Sequence, residues 1–147
     1  MIKVFYGERG SGKTKRMVDH ANDYALSAKG NVVYLDRDVN RIHDLVHEIR
    51  LVNVYDFGIR DGASLISFIK GLLAGNSDIE MVYIDSAAKI ISGGYEDMKK
   101  LFSEMENICR EHGVDFGVTV EGKEEEKLNI ARQMKANGIP THTIAAC

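Results

Sequence analysis

One eight-residue segment, GERGSGKT at positions 7–14, constrains the fold of this chain more than any other feature. A short apolar run at residues 2–6 leads directly into it, and apolar residues at helical spacing follow from Met17. The segment matches the pattern G-x-x-x-x-G-K-[ST], which requires a strand before the loop and a helix after it. The sequence therefore predicts a β-strand that turns through a glycine-rich loop into an α-helix.

The residue types of this glycine-rich loop (residues 7–14) suit the binding of a phosphate chain, and the pattern is the P-loop or Walker A motif. Glycines allow backbone N–H groups to curl around an anion, and the N-terminus of the following helix adds its dipole. The lysine reaches the β- and γ-phosphates, and the threonine hydroxyl ligates Mg²⁺. The predicted nucleotide-binding residues are Gly7, Gly10, Ser11, Gly12, Lys13 and Thr14. The alternative is a turn that only joins strand to helix and leaves Lys13 in solvent.

A magnesium ion on these phosphates also needs a carboxylate at the end of a neighbouring strand. Asp85 supplies one, because it directly follows the apolar run at residues 81–84. We therefore predict that Thr14 and Asp85 form the metal site. The alternative for Asp85 is a strand-terminal aspartate that caps the next turn.

Short β-branched and aromatic runs alternate with segments of helical period, which is typical of repeated βαβ units around a buried parallel sheet. Six strands are predicted, at residues 2–6, 31–36, 51–57, 80–85, 115–121 and 141–146. Apolar stripes predict helices at residues 17–28, 39–49, 65–73, 95–112 and 124–137. No repeat or compositional break divides the sequence, so residues 1–147 are expected to form a single nucleotide-binding domain.

Composition limits the partners. The 19 basic and 22 acidic residues give a net charge of −3, which does not support nucleic-acid binding, although a local basic patch stays open. Two cysteines, Cys109 and Cys147, are too few for a disulfide scaffold or a metal knuckle.

No run approaches the roughly 18 apolar residues that cross a bilayer, so we expect no membrane association and a cytoplasmic location. A homo-oligomer stays open.

Three segments carry a resemblance to a known family. Residues 82–90, VYIDSAAKI, resemble the hydrophobic-Asp-Ser stretch of RecA-like ATPases, and the glycine-rich loop is similar to the nucleotide loop of that family. Residues 31–38, NVVYLDRD, look like its second strand. The resemblance implies a three-layer α/β/α sandwich with a mainly parallel sheet, and together with right-handed crossovers it implies the strand order 3-2-4-5-1-6. It also implies binding and hydrolysis of ATP with Mg²⁺.

The same resemblance suggests catalytic residues. Lys13 would act on the phosphates, and Asp38 falls where the family has a water-activating glutamate just beyond the second strand. A carboxylate within reach of the attacking water can act as a general base, although aspartate has the shorter stem. Asp36 and Asp38 could equally cap a helix that begins near Val39. Candidate sources of a transition-state cation are Arg37, Arg41 and Arg60.

Three functions therefore stay open. The first is a small ATPase, and the second is a nucleotide-dependent binding or regulatory module with little turnover, which the missing glutamate favours. A nucleoside-type kinase fits less well, because Ser86 follows Asp85 where such kinases carry an acidic pair. ATP is preferred over GTP, since the chain contains no Asn-Lys-x-Asp motif. Glu121 ends the predicted fifth strand and is expected to face solvent or a cation.

Overall fold

A sheet of six parallel strands forms the middle layer of this computed structural model, which describes residues 1–91, 93–122 and 144–146. The strands are β1 (Ile2–Gly7), β2 (Asn31–Asp36), β3 (Ile49–Asn53), β4 (Ile79–Ile84), β5 (Asp115–Glu121) and β6 (Ile144–Ala146). Their spatial order is β3-β2-β4-β5-β1-β6, and every adjacent pair is parallel. The predicted order 3-2-4-5-1-6 is confirmed.

Helices cover both faces of the sheet. They are α1 (Lys13–Ser27), α2 (Gly62–Gly75), α3 (Ala87–Ile90) and α4 (Gly94–His112). On one face, Met17, Val18 and Ala21 of α1 pack into one core cluster. On the other face, α2 and α4 contact each other and form a second cluster with the sheet. The predicted three-layer α/β/α fold is confirmed.

The strands are apolar nearly throughout because both of their faces are buried. In β2, Val32 and Tyr34 belong to the cluster beneath α1, whereas Val33 and Leu35 belong to the cluster beneath α2 and α4. This alternation follows from the two-residue period of a strand. It also places Tyr34 in the layer between the sheet and α1.

The predicted helix at residues 39–49 is wrong. Residues 37–48 form a succession of turns, and Ile49 begins β3 instead. A side chain of α1 satisfies part of this backbone in place of helical bonds: Asn22 donates to the carbonyl of Asp44 and accepts from the N–H of Val46. The Asp38 side chain accepts from the N–H of Asn40, and local bonds of this kind compete with helix formation.

The predicted third strand also has wrong boundaries. The strand begins two residues earlier than the predicted Leu51 and ends at Asn53, where a 3-10 turn (Val54–Phe57) begins. The Asn53 side chain accepts a hydrogen bond from the N–H of Tyr55 at 3.0 Å, which starts that turn. The short helix α3 was not predicted. The predicted helix at residues 124–137 and residues 141–143 of the predicted sixth strand lie outside the described residues.

Within the part of the chain that the structure describes, no helix combines the length and apolar character needed to cross a membrane.

Candidate functional site

The glycine-rich loop adopts a conformation that depends on two of its glycines. Gly10 and Gly12 have φ angles of 81° and 89°, in the left-handed region that favours glycine. A Cβ atom at either position would touch nothing within 4 Å, so backbone conformation and not space requires glycine there. The N–H of Ser11 donates to the carbonyl of Glu8 at 3.1 Å, which closes the turn between them.

Hydrogen-bond donors at the start of α1 lack side-chain acceptors. Gly12 is the N-cap and provides no side-chain bond, and the first turn contains no acidic residue. The first N–H groups of a helix have no partner within the helix and attract anions. In the described part of the chain, the buried Ser11 hydroxyl is also without a hydrogen-bond partner. These donors fit a phosphate group.

Lys13 lies across the glycine-rich loop. Its ammonium group donates to the carbonyl of Glu8 at 3.3 Å. The side chain of Lys13 therefore folds back over the loop that precedes it. A phosphate chain bound on the loop would lie within reach of this ammonium group.

Asp85 lies immediately beyond β4 and is only 2% exposed. Its Oδ1 accepts hydrogen bonds from the hydroxyls of Thr14 at 3.1 Å and Thr119 at 2.6 Å. Its Oδ2 accepts from the Tyr34 hydroxyl at 2.8 Å. The two residues predicted for the metal site are therefore in direct contact, although they are 71 positions apart in the sequence.

The turn after Asp85 is strained. Ser86 has a φ of 58°, and it is the one non-glycine residue with positive φ in the described ranges. The left-handed backbone conformation is unfavourable by about 1–2 kcal/mol for a residue with a Cβ atom. The N–H of Ser86 donates to the Thr119 hydroxyl at 2.7 Å, and α3 begins without a side-chain cap. The alternative role of Asp85 as a cap of the next turn is therefore not supported.

Asp36 and Asp38 have different surroundings. Asp36 is 5% exposed, and its Oδ1 accepts from the N–H of Arg37 at 2.7 Å. Burial, and next the charge of nearby Asp85, raise the pKa of Asp36 to about 7. Asp38 is partly exposed, and its Oδ1 accepts from the N–H of Asn40 at 3.0 Å. No helix begins at residue 39, so Asp38 stabilises a turn and the helix-cap interpretation is wrong.

A cavity of about 180 Å³ lies beside the glycine-rich loop. Its lining is rich in cationic side chains and consists of Arg9, Lys13, Thr14, Arg37, Arg41, Ser86, Ala88, Lys89 and Glu121. Glu121 approaches Lys89 with an N···O distance of 3.8 Å, so it faces a cation. Asp38 is not among the lining residues.

Several of these positions were not identified from the sequence. Thr119 interrupts the apolar run of β5, and this polar residue was the available signal for it. Tyr34 gives no signal, because a buried tyrosine in a strand is ordinary. Arg60 stacks on the Tyr55 ring at 4.0 Å and does not line the cavity, unlike Arg37 and Arg41.

Comparison with known proteins supports the fold. No protein-family model matches the chain, and no curated protein matches it. Among solved structures, the crystal structure of the flagellar accessory protein FlaH from Methanocaldococcus jannaschii is similar, with a TM-score of 0.57. The match covers 90% of this chain and 67% of that chain at 16% identity. At this identity the likeness shows the fold alone: the chain has a RecA-like α/β fold.

Proposed function

We propose that this protein binds a nucleoside triphosphate together with Mg²⁺ on the glycine-rich loop, and that ATP is its ligand. The observation that carries the proposal is the 3.1 Å contact between the Thr14 hydroxyl and Asp85. The Thr14 hydroxyl donates a hydrogen bond to Asp85, so the lone pairs of the Thr14 oxygen stay available to a cation. Hydroxyl and carboxylate oxygens are ligands that suit Mg²⁺.

The remaining residues of the site fit the phosphates. The uncapped N-terminus of α1 and the Ser11 hydroxyl offer donors, and Lys13 adds a positive charge beside the loop. When bound, Mg²⁺ would neutralise charge on the β- and γ-phosphates. Arg37 and Arg41 line the same cavity and add further positive charge from the segment after β2.

We further propose that the site hydrolyses ATP with Asp38 as the general base. In this role Asp38 would take the proton of the attacking water while Lys13 stabilises the charge on the phosphates. One observation favours the second candidate, a nucleotide-binding module with little turnover: Asp38 bonds the N–H of Asn40 and does not line the cavity.

Replacement of Lys13 tests the binding proposal. Hydrogen bonds to charged groups contribute roughly 1.5–3 kcal/mol, so Lys13→Ala should weaken MgATP binding by about 10–100-fold in calorimetry. Lys15→Ala is the matched control, because Lys15 lies on the same helix and its ammonium group forms an exposed ion pair with Asp19. If both variants melt at the wild-type temperature and bind MgATP equally well, Lys13 does not contribute to the binding site.

Asp38→Asn separates the two candidate functions. A general base contributes about 10²–10⁴-fold to a rate, so phosphate release should fall by that factor if Asp38 activates water. Asparagine can still accept the bond from Asn40, so the melting temperature should not change. Turnover that survives the substitution excludes Asp38 as the base. A wild-type chain that binds MgATP without turnover supports the binding module.

A further inference from the structure

Three hydroxyl groups converge on the buried carboxyl group of Asp85. Thr14 and Thr119 donate to Oδ1, and Tyr34 donates to Oδ2. An ionised carboxylate has about four acceptor positions, two on each oxygen. The three bonds fill both positions on Oδ1 and one on Oδ2. Among the described residues, no donor takes the second acceptor position on Oδ2.

Each of these hydroxyls has its proton directed at Asp85. Thr119 Oγ1 accepts from the N–H of Ser86, so its own proton is available for the 2.6 Å bond to Asp85. Tyr34 is 0% exposed, and its hydroxyl donates to Oδ2 of Asp85 at 2.8 Å. The hydroxyls of Tyr34 and Thr119 thus hold opposite oxygens of one carboxyl group and prevent its rotation.

We propose that Tyr34, together with Thr119, is a positioning residue for the magnesium site and fixes the orientation in which Asp85 meets the ion. This inference rests on the proposed function, and it assigns a role that goes beyond packing to a buried tyrosine of the sheet. The single acceptor position left on Oδ2 is the place for a water molecule of the hydrated ion. Partners that orient a metal ligand typically change metal affinity by about 10–100-fold when they are removed.

A second tyrosine provides a matched control. Tyr83 of β4 is also 0% exposed, and its ring stacks on that of Tyr34 with 5.9 Å between centroids. Its hydroxyl pairs with Nδ1 of His20 at 2.7 Å and not with Asp85. Tyr34→Phe and Tyr83→Phe therefore each remove one buried hydroxyl from the same aromatic stack, but only the first removes a partner of Asp85.

The experiment measures ATP affinity by calorimetry during a Mg²⁺ titration, with a parallel series in a chelator. Tyr34→Phe should raise the half-saturating Mg²⁺ concentration about tenfold or more. Tyr83→Phe should keep it within about twofold of the wild type. Affinity in the chelator should be equal in all three proteins, because phosphate contacts come from the glycine-rich loop.

A second pair of variants covers the case in which Tyr34→Phe does not fold. Thr119→Val removes the hydroxyl with little change in shape, and Thr119→Ser keeps it. The first should raise the half-saturating Mg²⁺ concentration, and the second should restore it towards the wild-type value. In an Asp85→Asn background, Tyr34→Phe should produce no further shift, since the group that it positions has changed.

Three outcomes would overturn the inference, and they are distinguishable. Wild-type Mg²⁺ dependence in Tyr34→Phe, with normal wild-type binding, refutes the positioning role and leaves the proposed function intact. A wild-type chain whose ATP binding does not depend on Mg²⁺ refutes the inference and the metal site together. An equal shift in Tyr34→Phe and Tyr83→Phe assigns the effect to the aromatic stack and also refutes it.

Discussion

Two buried acids lie at the carboxyl edge of the sheet, and their surroundings differ. Asp85 receives three hydroxyl hydrogen bonds, whereas the side chain of Asp36 has a backbone N–H donor from Arg37. The sequence could place both acids at strand ends, since each follows an apolar run. It could not show which acid would be surrounded by donors, because Tyr34 and Thr119 reach Asp85 only through the pairing of neighbouring strands.

Asp36→Asn should remove a dependence of stability on pH. The folded-state pKa of Asp36 is about 7, above its ordinary value of 3.8. Below about pH 4 both states hold the proton, so Asp36 carries no penalty there. Between about pH 4 and 7 the unfolded chain releases the proton first, and the folded state loses stability as the pH rises.

The measurement is urea unfolding of both proteins near pH 4 and near pH 8. Each pKa unit corresponds to about 1.4 kcal/mol. From pH 4 to pH 8, the free energy of unfolding of Asp36→Asn should therefore rise by up to about 4 kcal/mol relative to that of the wild type. The amide oxygen can still accept from the N–H of Arg37, so the local backbone should persist. Identical pH slopes in the two proteins would show that Asp36 titrates normally.

Among the elements, the turn segment at residues 37–48 shows where sequence periodicity misleads. Val39 and Ile42 fit a helical stripe, but they are 49% and 56% exposed and form no buried face. Hydrogen bonds from Asn22 and Asp38 to this backbone satisfy groups that a helix would otherwise pair. The strands were easier to predict, because these strands of six or seven residues are mostly apolar, as expected for a sheet that is covered on both sides.

The same turn segment brings Arg41 to the cavity beside the glycine-rich loop. Arg41→Ala should weaken MgATP binding about tenfold, as expected for loss of one charged hydrogen bond, and should weaken MgADP binding less. Arg110→Ala is the control, since Arg110 lies near the end of α4 and does not line the cavity. Calorimetry with both nucleotides makes the comparison. An equal loss for both nucleotides would place Arg41 away from the γ-phosphate.

At the scale of the whole molecule, the sheet order brings the site together. The strand leading into the glycine-rich loop, β1, is separated from β4 by β5, so Thr14 and Asp85 meet across the end of β5, where Thr119 lies. This order was predictable from the family resemblance and from right-handed crossovers. In parallel sheets, ligands bind at the carboxyl ends of the strands, which is why acids at strand ends could be selected as candidates.

The position of β3 at the outer side of the sheet has a consequence for solubility. Within the described ranges β3 pairs only with β2, and an outer strand offers backbone groups on which another chain could align. Exposed Arg50 lies between Ile49 and Leu51, and a charge in that place disfavours aggregation. Arg50→Val should therefore scatter more light than the wild type as the protein concentration rises. The circular dichroism of dilute samples should be unchanged. A variant that scatters no more light than the wild type would contradict this protective role.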